Sequence, residues 1–443
     1  MSAWLDVTTI LRWRRPATGV VRVEAELFRE LSKQAGVRFC AFEQGAYVER
    51  AASEVRAQLE RNALGDQAPP RDSMARQLVD RADALLRQAP TPVFNVLSRL
   101  KKATTPALRD TLHRVRQTSA ALAASRAARA QRAEQPTQAT GVPAHPFAEG
   151  DVLVSAGLDW DFKDLRALYR LKRSLGLRVV LVCYDLIPVL RPHLCRAEVA
   201  QAFPAYYADL AWVADHVLCI SDSSQRDLRQ WLKAVGAPQP PMSVIKLGST
   251  LDAPSSSAPV GSLVDGPFVL FVSTLERRKN HDVLYRALVR LAEQGRALPK
   301  LVFVGMPGWG VDELLNDLDR DPRVRGAVVR LHHVTDAELN ALYANARFTV
   351  FPSLYEGWGL PVAESLAHGR FCLVADTSSL REVGGELVEY LDPWDVEAWA
   401  ERLAWWFDHP EEVKAREALI KQGFVPTPWS QTAKTVLDLV APR

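Results

Sequence analysis

The stretch FTVFPSLYEGWGLPVAESLAHGRFCLVA occupies residues 348–375. An apolar, β-branched run opens it and Pro352 closes that run. A loop holding Gly357 and Gly359 follows. Residues 360–367 favour a helix, and Pro361 suits a first helical turn. Beyond Gly369 comes a second short apolar run, FCLVA (371–375). Continuously apolar strands joined through a helix predict parallel neighbours buried on both faces.

The same alternation extends outward. FVLFV (268–272), KLVFVG (300–305) and AVVRL (327–331) read as strands, with helices over 279–294, 311–318 and 335–345. Helices near 395–407, 410–422 and 429–440 close the chain. Upstream, AWLDVTTI (3–10), VRFCAF (37–42), DVLVSA (151–156), RVVLVCY (178–184), HVLCI (216–220) and MSVIK (242–246) read as strands. Helices are expected around 20–31 and over 161–175, 196–214 and 222–235. The fold class is therefore α/β, with two Rossmann-like parallel-sheet domains facing a cleft. Ligands in such sheets bind beyond the carboxyl ends of the strands. The first domain is expected over 1–255, with a helical basic insert at about 51–149. The second is expected over 266–425, and a C-terminal helix over 426–443 is expected to cross back onto the first. Residues 252–267, rich in Ser and Pro, read as the linker.

Composition narrows the function. The chain has 443 residues, enough for two domains at roughly 100–200 residues each. Hydrophobic residues make up 48% and charged residues 24%, and the net charge is +3. That balance argues against a nucleic-acid partner. Five cysteines lie far apart with no C-x-x-C pair, so they read as reduced thiols of a cytoplasmic protein. Cys183, Cys219 and Cys372 sit in apolar runs and read as core residues. No secretory leader and no run of about 18 apolar residues is evident. Residues 99–132 carry nine Lys/Arg against one acidic residue, Asp110. A contact of this segment with an anionic membrane surface is expected, making the protein peripheral on the inner face; a solvated loop is the alternative.

The chemistry concentrates around residue 356. Gly357 and Gly359 permit close backbone approach. The helix starting at 360 offers free N–H groups and a positive dipole end, a seat for phosphate. Glu356 in the loop and Glu364 in the helix can accept hydrogen bonds from sugar hydroxyls. The bland alternative is that Glu356 caps the helix and Glu364 is a solvated helix residue. Arg277, Arg278 and Lys279 follow a buried strand and open a helix, where cations oppose the dipole. A bound anion would explain them. The histidines show no zinc-ligand spacing, and His332 and His333 are merely adjacent. There is no Walker A motif and no GxSxG elbow.

Taken whole, the segment S-x-x-E-G-x-G-L-P-x-x-E-x-x-x-x-G (353–369) resembles the signature of retaining nucleotide-sugar glycosyltransferases of family 4, the group 1 family, which have the GT-B fold. STLERRKNHDVLYRAL (273–288) resembles that family's phosphate-binding turn, and YDLIP (184–188) and ISDSSQRDL (220–228) are smaller echoes. The likeness is strongest over about 265–440 and absent over 51–149. It implies that Glu356 contacts the donor sugar and Glu364 holds the ribose. The loop Gly357, Trp358, Gly359 and Leu360 would give backbone N–H groups to the pyrophosphate. Lys279 and Arg278 would neutralise that leaving group, with Thr274 and Arg277 nearby. Gly19, Tyr184 and Asp185 would line the phosphate or acceptor side. Two positions depart from the pattern. Ser273-Thr274 stands where relatives have Gly-Arg or Gly-Thr, so Arg277 or Arg278 would substitute. Tyr184 stands where relatives often have histidine.

The resemblance implies a retaining, metal-independent hexosyltransferase without a cofactor. It would move a mannosyl- or rhamnosyl-like residue from a nucleoside-diphosphate sugar, GDP-mannose first, to a glycan or lipid-linked glycan in surface polysaccharide synthesis such as O-antigen. The alternatives are a GT-B nucleotide-sugar epimerase or hydrolase, and a catalytically silent nucleotide-sugar-binding scaffold.

Overall fold

A computed structural model describes residues 2–14, 17, 19–64, 144–250 and 263–440. Residues 65–143 of the expected insert, its basic stretch 99–132 among them, and most of the linker lie outside the described residues.

The first sheet comprises β1 (Ala3–Asp6), β2 (Val37–Glu43), β3 (Ala46–Arg50), β4 (Val152–Ser155), β5 (Arg178–Cys183), β6 (His216–Cys219) and β7 (Met242–Val244). Their order is β3-β2-β1-β4-β5-β6-β7. Every pairing is parallel except β2 with β3. That hairpin was not expected. It turns at Gln44 and Gly45, whose φ angles of 48° and 81° are both positive, as the twist of a tight hairpin requires. The strand expected over 3–10 stops at Asp6. Its carboxylate accepts the Thr8 amide at 2.9 Å and starts a short helix, Thr8–Arg12. The helix expected over 161–175 is two, Asp159–Phe162 and Leu165–Leu175. Lys163 between them is extended, and the Asp164 side chain caps the second through the amides of Arg166 and Ala167.

The second sheet comprises β8 (Val269–Val272), β9 (Leu301–Val304), β10 (Val328–Leu331), β11 (Phe348–Phe351), β12 (Cys372–Ala375) and β13 (Glu389–Leu391). It runs β10-β9-β8-β11-β12-β13, all parallel. β13 was not expected, because ELVEYL lacks an uninterrupted apolar run. Alternate residues feed opposite faces. Val269 and Phe271 join one core, Phe268 and Leu270 the other. The strand order reverses between β8 and β11. The segments leaving their carboxyl ends, Ser273–Lys279 and Pro352–Gly359, are the two that sequence marked.

Helix Trp429–Val440 packs on the first sheet's core with Leu5, Val23 and Leu27. Thr432 Oγ1 donates to the Lys246 carbonyl at 2.8 Å. Cys183, Cys219 and Cys372 are buried free thiols in the cores, as read from sequence. Among the described residues no helix is long and apolar enough to cross a membrane.

Candidate active site

The turn after β8 is wound as a 3-10 helix over Arg277–Lys279. Asn280, in the left-handed region at φ 59°, reverses the chain into helix His281–Glu293. Its side-chain amide donates to the Pro352 and Pro393 carbonyls, tying this turn to the β11 loop. The outcome is an ionic centre. Lys279 Nζ lies 2.6 Å from Glu356 Oε1, and Arg278 Nη1 lies 2.7 Å from Glu356 Oε2. Arg278 also donates to the Tyr355 carbonyl at 2.9 Å and to Glu276 Oε1 at 2.7 Å. Burial alone would raise the Glu356 carboxyl, but Arg278 and Lys279 hold it down at about 2. Burial pushes Glu276 up, Arg278 opposing. Burial and Arg278 push the Lys279 ammonium down, against Glu356. Helix-capping is not the role of Glu356. The N-cap of helix Leu360–Ala367 is Gly359, at φ 120°, and no side chain caps it. Pro361 has no N–H, and the Val362 and Ala363 amides donate to the Gly359 carbonyl at 3.0 and 3.2 Å, so the Leu360 amide is what the first turn offers an anion.

Serines of the loop after β12 brace the 356–358 backbone. The Glu356 amide donates to Ser378 Oγ at 2.8 Å. Ser379 Oγ donates to the Glu356 and Trp358 carbonyls at 3.0 and 2.8 Å. Gly357 abuts the first domain. A methyl group there would sit 2.2 Å from the Tyr184 carbonyl oxygen and 2.9 Å from Asp185 Cβ. Ser224 Oγ bonds both the Tyr184 and Gly357 carbonyls, at 2.9 and 3.3 Å. Trp358 packs against the cores of both domains, and its Nε1 is buried without a partner.

Glu364 is no solvated helix residue. It is 4% exposed. Arg22 Nη1 lies 2.8 Å from its Oε1, and Tyr343 OH donates to its Oε2 at 3.0 Å. Sequence reasoning missed Arg22, Tyr343 and Glu276. Arg22 and Tyr343 sit in ordinary helical contexts far from the motif, so no local pattern marks them; Glu276 stands inside the quoted STLERRKN turn, where the cations drew the reading instead.

The remaining expected residues divide. Asp185 joins the centre electrostatically: burial raises its carboxyl and Arg278 lowers it. Its Oδ1 accepts the Ile187 amide at 2.9 Å. The Tyr184 ring is buried in the first domain with its hydroxyl on the Ala156 carbonyl, so its backbone reaches Gly357, not its phenol. Thr274 and Arg277 are exposed and stand outside the Glu356 centre. The Arg277 amide donates to the Trp309 carbonyl at 3.3 Å. Arg278, not Arg277, is the arginine at the carboxylate. Gly19 starts helix Gly19–Leu31 at φ 54°, with nothing within 4 Å of where a methyl group would stand. Leu360 packs on the first domain's core. Among the described residues no group of three or more His, Cys, Asp and Glu could hold a metal ion.

Residues 254–424 match the family model of glycosyl transferases group 1. The serotype-specific mannosyltransferase WbdA of Escherichia coli is 29% identical over 258 residues, covering 55% of this chain and 32% of that protein. The O-antigen chain mannosyltransferase B of Escherichia coli is 32% identical over 189 residues, 41% of this chain and 49% of that protein. The chain thus spans about a third to a half of the length of these curated relatives. Sucrose-phosphate synthase from Thermosynechococcus elongatus superposes with a TM-score of 0.59 at 16% identity, over 99% of this chain and 98% of that one. The superposition extends through both sheets and shows the GT-B fold.

Proposed function

We propose that this chain is a retaining, metal-independent hexosyltransferase. It moves a mannosyl-like residue from a nucleoside-diphosphate sugar, GDP-mannose first, to a glycan or lipid-linked glycan acceptor in surface polysaccharide synthesis. One observation carries the reading: Glu356 is held between Arg278 and Lys279 where the second sheet reverses, beside an uncapped helix N-terminus. The family match over 254–424 supports the transferase, and the names of the two Escherichia coli relatives support the sugar. A peripheral cytoplasmic placement, with 99–132 on an anionic membrane surface, belongs to the same reading.

The transfer breaks the bond between sugar C1 and a pyrophosphate oxygen and forms a bond from C1 to the acceptor oxygen. The acceptor's proton passes to the leaving phosphate. Negative charge grows on that phosphate, so preorganised cations and N–H dipoles there lower the barrier most. Arg278, Lys279 and the Leu360 amide at the start of helix Leu360–Ala367 fill that role. Glu356 then takes the sugar hydroxyls and Glu364 the ribose. No carboxylate pair of a glycosidase kind is needed.

Thermal-shift titration with GDP, UDP, ADP and dTDP tests the donor, because a ligand of the folded state raises its melting temperature. Release of nucleoside diphosphate that depends on acceptor separates transfer from hydrolysis or epimerisation. Retention is read from the anomeric coupling of the first-formed glycoside; an inverted product refutes it.

A further inference from the structure

Arg22 lies on the first domain's helix Gly19–Leu31, whereas Glu364 lies on the second domain's helix Leu360–Ala367. Their ion pair is 2.8 Å long, with side chains 15% and 6% exposed. The second guanidinium nitrogen of Arg22 donates to the Thr250 carbonyl at 3.2 Å, which fixes the fork. The other oxygen of Glu364 takes the hydroxyl of Tyr343, itself 1% exposed and stacked on His368. A carboxylate has about four acceptor directions, so each oxygen keeps one free. Burial and Asp336 both push the Glu364 carboxyl upward. Arg22 is the main group opposing them, with the Tyr343 hydroxyl second. His368, whose Nδ1 pairs with the Glu364 carbonyl, is pushed down by burial and brings no compensating charge.

We propose that Arg22 is a positioning residue for nucleotide binding: reaching across the two domains, it holds Glu364 as an aimed carboxylate acceptor for the ribose diol of a nucleoside diphosphate. The proposal rests on the donor reading above. A ribose diol brings two O–H donors, and an ionised carboxylate can accept both of them. A protonated Glu364 would present a donor of its own instead. Because the guanidinium belongs to the other domain, ribose recognition is linked to the approach of the two domains.

Calorimetric titration of GDP, and of UDP in parallel, across pH 6 to 8.5 tests this on the full chain. Relative to wild type, Arg22→Gln should bind at least tenfold more weakly at the acid end, and the deficit should shrink as pH rises, because Glu364, already raised by burial, loses the main group that opposes that rise. Arg22→Lys should stay near wild type throughout. Glu364→Gln should be weak at every pH, and adding Arg22→Gln to it should cost nothing more. An Arg22→Gln variant equal to wild type at all pH values overturns the proposal. So does a pH-independent loss additive with Glu364→Gln, which is what a merely structural bridge would give. If Arg22→Gln fails to fold, Arg22→Lys decides: binding as weak as that of Glu364→Gln at pH 6 overturns it. Wild type binding neither nucleotide defeats the donor reading and this inference with it, whereas the other failures defeat the inference alone.

Discussion

Glu356 neutralises two cations with one carboxylate, and this shapes what each substitution does. A diphosphate arriving between Arg278 and Lys279 competes with Glu356 for the same charges. Lys279→Ala should therefore weaken nucleoside diphosphate binding and lower turnover roughly 10²-fold, as removal of other oxyanion stabilisers does. Glu356→Gln should also lose turnover, because its carboxylate faces sugar hydroxyls that the free diphosphate lacks. Its diphosphate affinity should hold or tighten, since Lys279 loses its internal anion and Arg278 keeps only Glu276. Removing one partner of a buried ion pair costs about 3–5 kcal/mol, so the variant should melt lower and recover more on adding diphosphate. Calorimetry and turnover assays on both variants decide it. Diphosphate binding lost as fully in Glu356→Gln as in Lys279→Ala would sink this division of labour. These residues were legible because they lie in two short segments of unusual chemistry. Arg22 was not, since its partner stands 342 positions away and its own helix reads as ordinary.

Helix Gly19–Leu31 and the ends of β1 and β4 enclose a second ionic group. Lys163 Nζ lies 2.9 Å from Asp6 Oδ2 and 2.6 Å from Asp159 Oδ1. Glu24, fully buried, accepts the Ile10 amide at 3.0 Å with one oxygen. One ammonium cannot compensate three carboxylates. Burial, helped by Asp6 and opposed by Lys163, pushes Glu24 up to about 8. The native state therefore keeps a proton that the unfolded chain releases near pH 4.5. Stability contributed by this carboxyl is present below that pH and is lost as pH rises through about 8, by at most about 5 kcal/mol. Glu24→Gln keeps the shape and the acceptor for Ile10 without a titrating proton. It should gain stability over wild type at pH 8 relative to pH 5 in denaturant titrations; an equal difference at both pH values would rule Glu24 out as the titrating group. The β11 loop makes the other element-scale prediction. Backbone of Tyr184 cannot yield to a methyl group on Gly357 as a flexible side chain could. Gly357→Ala should force the loop away from β5 and lower kcat/KM severalfold with little change in melting temperature. Wild-type kinetics would show that this contact plays no part in the working form.

At the scale of the molecule, the two sheets were legible because continuous apolar strands and amphipathic helices alternate with little ambiguity. β3 and β13 were not, because they lack an apolar run and depend on an established neighbour. What joins the domains was less legible still, since it consists of single residues meeting across long separations. Glu382 places both carboxylate oxygens on the Asp222 and Ser223 amides at the start of helix Asp222–Ala234, at 2.7 and 2.8 Å. Tyr355 OH donates to Asp227 Oδ2 at 2.5 Å. The chain returns to the first domain through Trp429, which is 4% exposed. Its indole lies on Gly248, where a methyl group would meet ring carbons at 2.3 to 2.6 Å, and its Nε1 donates to the Thr250 carbonyl at 3.3 Å. Thr250 is also the carbonyl that orients Arg22. Trp429→Ala should cost about 3–5 kcal/mol, the usual range for a large aromatic deleted from a core. The effect should reach beyond its own helix, because Val436 and Val440 share a core with Val23 and Leu27 of helix Gly19–Leu31. Amide hydrogen exchange should show faster exchange in residues 19–31 as well as 429–440. Exchange confined to 429–440 would mean that this helix rests on the first domain without supporting the segment that carries Arg22.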